Sequence, residues 1–173
     1  MRLHGVWMDP ETERSPAVKA RVTPIAARTA ASPAIYPATL YSAPDLPDLG
    51  EPEQQRLLSP PAMRAFLNIM RRWRVRDELA RQLVGGVSNG TFYSWKAGSV
   101  RVLEQDRLLR ISYLIGIFKA LHILFSEELA DRWVHLPNSN ALFRTETPLA
   151  YMLRGGAPAM ETVRRLLDAR RGG

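Results

Sequence analysis

Leu103-Glu104-Gln105-Asp106-Arg107-Leu108-Leu109-Arg110-Ile111-Ser112-Tyr113-Leu114-Ile115-Gly116-Ile117-Phe118-Lys119-Ala120-Leu121-His122-Ile123-Leu124-Phe125 is the stretch that decides the fold. Its first half is amphipathic, with Glu104, Asp106, Arg107 and Arg110 placed for solvent. Its second half is apolar on nearly every side, the pattern of a helix surrounded by other helices. The apolar run 113–125 falls short of the roughly 20 residues a membrane span needs. It also carries Lys119 and His122, which fit a buried helix better than a lipid-facing one. The stretch therefore predicts a central helix over about 103–125. No segment alternates like a strand, so the expected class is all-α.

On the N-terminal side, Ser88 is a good N-cap for a short helix that runs to about Ala97 and stops at Gly98. On a helical wheel Thr91, Phe92 and Trp95 share one face. Asn89, Gly90, Tyr93, Ser94 and Ala97 share the other, with Lys96 on the flank. A helix over about 76–83 precedes it, with Asp77 and Glu78 in the first turn, where they complement the macrodipole. Gly85-Gly86 breaks that helix. Further upstream, Ser59-Pro60-Pro61 reads as a cap with prolines in the first turn of a helix ending near Trp73. Two short helices joined by a Gly-bearing turn form a helix-turn-helix pattern. The second helix would present Asn89, Thr91, Tyr93, Ser94 and Lys96 to a DNA major groove, with Phe92 and Trp95 anchored inward.

Charge is distributed unevenly. Residues 1–58 hold six Arg/Lys against seven Asp/Glu, whereas 59–101 hold eight against two. Such a local excess is the electrostatic footprint of a phosphate-binding surface, or simply of a solvated one. Eight of the thirteen prolines lie in 1–58, at intervals too short for helices or sheet ladders. Residues 1–55 are expected to be a disordered extension. With no cysteine, disulfides and thiolate catalysis are excluded, and a reducing cytoplasm is the expected setting. The three histidines have no ligand spacing, and no terminal segment has the apolar core of a signal peptide. No nucleophile–base pair, carboxylate pair or phosphate-cradling glycine loop is visible, so neither an enzyme nor a cofactor is expected.

Beyond the central helix, shorter helices are expected over about 127–136, 148–154 and 158–170. Leu124-Phe125, Ala130-Asp131-Arg132-Trp133 and Pro137-Asn138 come in order, followed by Leu142-Phe143, Thr147-Pro148-Leu149 and Leu153-Arg154-Gly155-Gly156. Physically, Trp133 is a large anchor, Pro137-Asn138 ends a helix and turns the chain, and Gly155-Gly156 closes the next one. These blocks resemble the toxin-binding C-terminal domain of the Xre/MbcA/ParS antitoxins. Upstream, Ala65-Phe66, Leu83, the segment 91–96 and the segment 110–121 resemble the Xre-like helix-turn-helix part of the same family. The resemblance covers about 57–173. It departs from the family at Arg144-Thr145-Glu146-Thr147, which lacks glycines, and after Gly173, where no aromatic residue follows.

The resemblance implies an Xre-like helix-turn-helix domain over 56–120 and a small helical toxin-binding module over 121–173. It implies a RES-type, NAD+-degrading toxin as partner and operator DNA as target. It also implies that the end of the chain blocks the toxin's active-site entrance. Arg164, Arg165, Asp168, Arg170, Arg171, Gly172 and Gly173 would then make the contact. A helix-turn-helix usually needs two half-sites, so a homodimer and a hetero-oligomer with the toxin are expected, with no membrane involvement. The alternative is a stand-alone helix-turn-helix regulator whose C-terminal module serves dimerisation.

Overall fold

The computed structural model describes residues 47–172; most of the expected N-terminal extension, and Gly173, lie outside the described residues. The described residues contain six α-helices and no strand. They are α1 (Pro52–Arg72), α2 (Asp77–Leu83), α3 (Asn89–Lys96), α4 (Gln105–Leu124), α5 (Glu127–Arg132) and α6 (Pro148–Gly172). A single 3-10 turn, Trp133–His135, continues α5.

α4 is the axis of the core. Leu108, Ile111, Leu114, Ile117, Ala120 and Leu121 are buried along it, with α1 against one side and α6 against another. Met63, Phe66, Ile69 and Met70 come from α1, and Met152, Met160, Val163 and Leu167 from α6. Burying side chains of this size stabilises by about 1.5–3 kcal/mol each, and one shared cluster joins all of these elements. The expectation that the second half of α4 is covered on all sides needs correction: Lys119 is exposed and Ile123 is 61% exposed. Both sit at helical spacing with Ser112, which is also exposed, and with Ile115, which is half-buried against the core.

α1 begins seven residues before the expected cap. Pro52 stands in its first turn after Glu51, so Pro60 and Pro61 lie inside the helix. The two prolines leave the carbonyls of Arg56 and Leu57 without helical partners. Both of those residues are exposed, so water can serve the carbonyls. Ser59 is no cap. It is buried, its hydroxyl donates to the Gln55 carbonyl at 2.5 Å, and it accepts from the Leu103 N–H at 2.7 Å. That second bond fastens the start of the central helix to the middle of α1.

The other boundaries follow the sequence signals closely. Gly85 and Gly86, at φ 103° and 74°, make the α2–α3 turn in a conformation that side chains disfavour. Gly156, at φ 61°, breaks α6 into two helical pieces, and Pro158 opens the second. Around α5, Asp131 receives Arg72 at 2.9 Å and lies 3.3 Å from the His122 Nε2. Arg72 also pairs with Glu127. Hydrogen bonds that the Arg72 guanidinium donates to Glu127 and then to Asp131 hold it above its ordinary range. His135 contacts the Trp73 carbonyl through Nε2 at 2.5 Å. Two of the three histidines thus take part in joining helices. Among the described residues no helix is long and apolar enough to cross a membrane.

Candidate functional site

Two surfaces contain the residues singled out in the sequence. The first is built on α3. Ser88 caps this helix by accepting from the Thr91 N–H at 3.2 Å, and its hydroxyl lies 3.0 Å from that of Thr91. Phe92 and Trp95 are buried, edge to face at 6.5 Å, and fix the helix to the core. Asn89, Thr91, Tyr93, Ser94 and Lys96 are all exposed. Thr91 therefore belongs to the outward set and not to the inward face that the wheel gave it: its hydroxyl is engaged at the cap. Gly90 opens onto empty space, so it makes no close approach that would require a glycine.

Lys96 is not a free cation. Its ammonium lies 3.0 Å from Asp77 Oδ2 and 3.3 Å from Oδ1, and 5.5 Å from the Tyr93 ring centroid. The pair links the C-terminal end of α3 to the first turn of α2. It closes one side of a hollow of about 650 Å³ between α1 and α3, whose rim also carries Arg64, Asn68 and Arg71. These three α1 residues were missed in the sequence. Their spacing of four and then three, all polar, was the available signal for an exposed helical stripe. Arg74, at φ 52°, and Arg76 extend the exposed basic rim toward α2.

The second surface is the far half of α6. Ala159, Met160, Val163 and Leu167 are buried, which leaves the charged residues on the flanks. Arg164 is half-buried and lies over Gly116 of α4, where a Cβ would meet its Nη1 at 1.4 Å. The missing side chain of Gly116 is thus the seat of a guanidinium. Arg164 Nε bonds Asp168 Oδ2 at 2.6 Å, and Arg171 reaches the other oxygen of the same carboxylate at 3.7 Å. Arg165 and Glu161, both exposed, are 3.9 Å apart, a separation that contributes little. Arg170 continues the helical stripe of Val163 and Leu167 past the end of the core and is exposed, as is Gly172. The structure therefore brings Arg164, Asp168 and Arg171 together on one side. Arg170 is on another, and Gly173 lies outside the described residues.

The segment between the two halves of the C-terminal region is pinned by aromatic contacts. Phe143 is fully buried, edge-on to Trp133 at 5.9 Å and to Tyr151 at 5.5 Å. Trp133 is the anchor its size suggested.

Comparison with known proteins bears on the C-terminal region. Residues 120–173 match the antitoxin Xre/MbcA/ParS C-terminal toxin-binding domain. The chain is also 40% identical over 116 residues to the uncharacterized protein y4oB of Sinorhizobium fredii (strain NBRC 101917 / NGR234), a match covering 66% of this chain and 87% of that protein.

Proposed function

The chain belongs to the Xre/MbcA/ParS antitoxins, and from that premise we propose that it neutralises a RES-type, NAD+-degrading toxin by steric occlusion of its active site. The observation that carries the proposal is the match of residues 120–173 to the toxin-binding domain, which includes the whole of α6. Inhibition needs no chemistry from this protein. The end of α6 projects cations beyond the core, and small residues follow them. Arg170, Arg171 and Gly172 are exposed, and Gly172 would let backbone enter a narrow cleft. Guanidinium groups recognise carboxylates with directional, charge-assisted bonds, so Arg170 and Arg171 are assigned to acidic groups at the toxin's rim. Arg164 and Asp168 set the direction of the helix end by gripping each other above Gly116.

The same protein is proposed to repress its own operon through α3, as a homodimer in the cytoplasm. Asn89, Tyr93 and Ser94 supply groups that can meet base edges, and Arg64, Arg71 and Arg76 supply phosphate contacts. The exposed Ile123 of α4, with the half-buried Ile115, offers an apolar seam for the second copy. A stand-alone regulator would share the DNA half of this reading but not the toxin half.

The deciding experiment is co-expression of the full chain with the protein encoded in the adjacent reading frame, against a version lacking residues 169–173. That truncation spares the Arg164–Asp168 pair. The expected outcome is loss of neutralisation with an unchanged melting temperature and unchanged operator binding. Full neutralisation by the shortened chain would refute the occlusion mechanism.

A further inference from the structure

Arg144 and Thr145 hold left-handed backbone, at φ 48° and 71°. Adjacent non-glycine residues rarely do so, and a β-branched side chain is least suited to it. The Glu146 N–H donates to the Phe143 carbonyl at 2.8 Å, so residues 143–146 form a tight turn with positive φ at both central positions. Turns of that kind are dominated by Asn-Gly and Asp-Gly because those residues accept the geometry at little cost. Here the turn is imposed from outside. Phe143 is locked between two aromatic rings, and the Glu146 carbonyl accepts from the Asn138 N–H at 3.2 Å. Both central side chains are exposed, so core packing does not demand an arginine and a threonine there.

A hollow of about 540 Å³ adjoins the turn, lined by Leu142, Arg144, Glu146, Tyr151 and Arg154. Arg154 pairs with Glu146, stands 5.9 Å above the Tyr151 ring, and remains 60% exposed. Two guanidinium groups against one carboxylate leave the hollow with a net positive charge. Its wall is an aromatic ring with an aliphatic neighbour.

We propose that the Arg144–Thr145 turn and the adjoining Arg154–Tyr151 hollow form a second docking surface for the partner toxin. The hollow receives an Asp or Glu side chain of that partner between the two guanidinium groups. The strained turn is the device that aims Arg144: a relaxed Asn-Gly turn would hold the fold as well or better, but would not present the cation. Strain retained at exposed positions points to a role that stability alone does not supply. This assignment rests on the toxin-binding reading of the domain and adds a contact distinct from the end of α6.

The test uses the full chain and the protein encoded in the adjacent reading frame, taken as the toxin, with dissociation constants measured alongside melting temperatures. The double change Arg144→Asn with Thr145→Gly is expected to raise the melting temperature by about 3–6 °C. It is expected to weaken the complex by roughly tenfold or more, mainly through faster dissociation. Arg154→Glu is expected to weaken the complex in a way that high salt diminishes, and Arg144→Lys to retain part of the affinity. A raised melting temperature with unchanged affinity in all variants would overturn the proposal, as would an unchanged melting temperature in the double variant. If the unaltered chain fails to bind the toxin at all, the toxin-binding reading itself falls. That outcome is distinct from losing this surface alone.

Discussion

Single atoms decide much of how this chain is organised. The Ser59 hydroxyl is buried and serves the Leu103 N–H, a backbone donor with no other route to a partner at the start of α4. Ser59→Ala leaves that donor unsatisfied, which costs about 1–3 kcal/mol. Urea unfolding should show the midpoint falling by that free energy divided by the slope, with the slope itself unchanged, whereas Ser59→Thr should retain part of the bond. The sequence could not reveal this role, because Ser59-Pro60-Pro61 has the grammar of a helix start. The same limit applies to Lys96 and Arg164. Both are cations on exposed or half-exposed helix faces, and each is engaged by a carboxylate. For Arg164 the partner lies one turn away on its own helix, and the residue that makes room for it, Gly116, lies on another. For Lys96 the partner Asp77 is nineteen residues away and is brought close only by the α2–α3 turn.

At the scale of elements, the helices with clear punctuation were legible to within a residue or two. Ser88 and Gly98 bound α3, Gly85-Gly86 closes α2, and Gly156 breaks α6 where the double glycine stands. The start of α1 was not legible, because two internal prolines normally argue against continuing a helix and only tertiary contacts override them here. The α2–α3 pair also yields a prediction about DNA. Asp77 pairs with Lys96 and so competes with any phosphate the helix would approach. On the proposed DNA-binding reading of α3, Asp77→Asn should therefore increase operator affinity several-fold. It should also steepen the salt dependence by about one counterion, as expected when one cation is released for phosphate contact. Quantitative gel shifts at several salt concentrations would measure both. Combined with Lys96→Ala, the Asp77 change should lose most of its effect; an undiminished gain would show that Asp77 acts only through overall charge.

For the whole molecule, the decisive fact is that α4 belongs to two assemblies at once. It packs on α1 and on α6, and one apolar cluster runs through both contacts. The boundary expected at 120–121, like the start of the matched toxin-binding domain at residue 120, falls inside this helix. A fragment comprising 121–173 would strip Met152, Met160, Val163 and Leu167 of the Ile111, Leu114 and Ile117 side of the core. It would also be shorter than most chains that fold unaided. Circular dichroism should show it lacking a cooperative thermal transition, while a chain covering 47–173 should unfold in one step. A sharp transition in the short fragment would establish that the module is autonomous.

That shared helix also bears on how such a protein can change over generations. A new toxin specificity cannot be acquired by exchanging the C-terminal region alone at its apparent border. The crossover would splice two halves of one helix that were selected against different neighbours. Exchange would succeed only upstream of Ser59 and Leu103, carrying α2 and α3, the helices proposed above to face DNA, along with α6, or else by gradual substitution at exposed positions such as Arg144 and Arg170. On the proposed reading of α3, operator and toxin preferences in this lineage should accordingly be inherited as a unit.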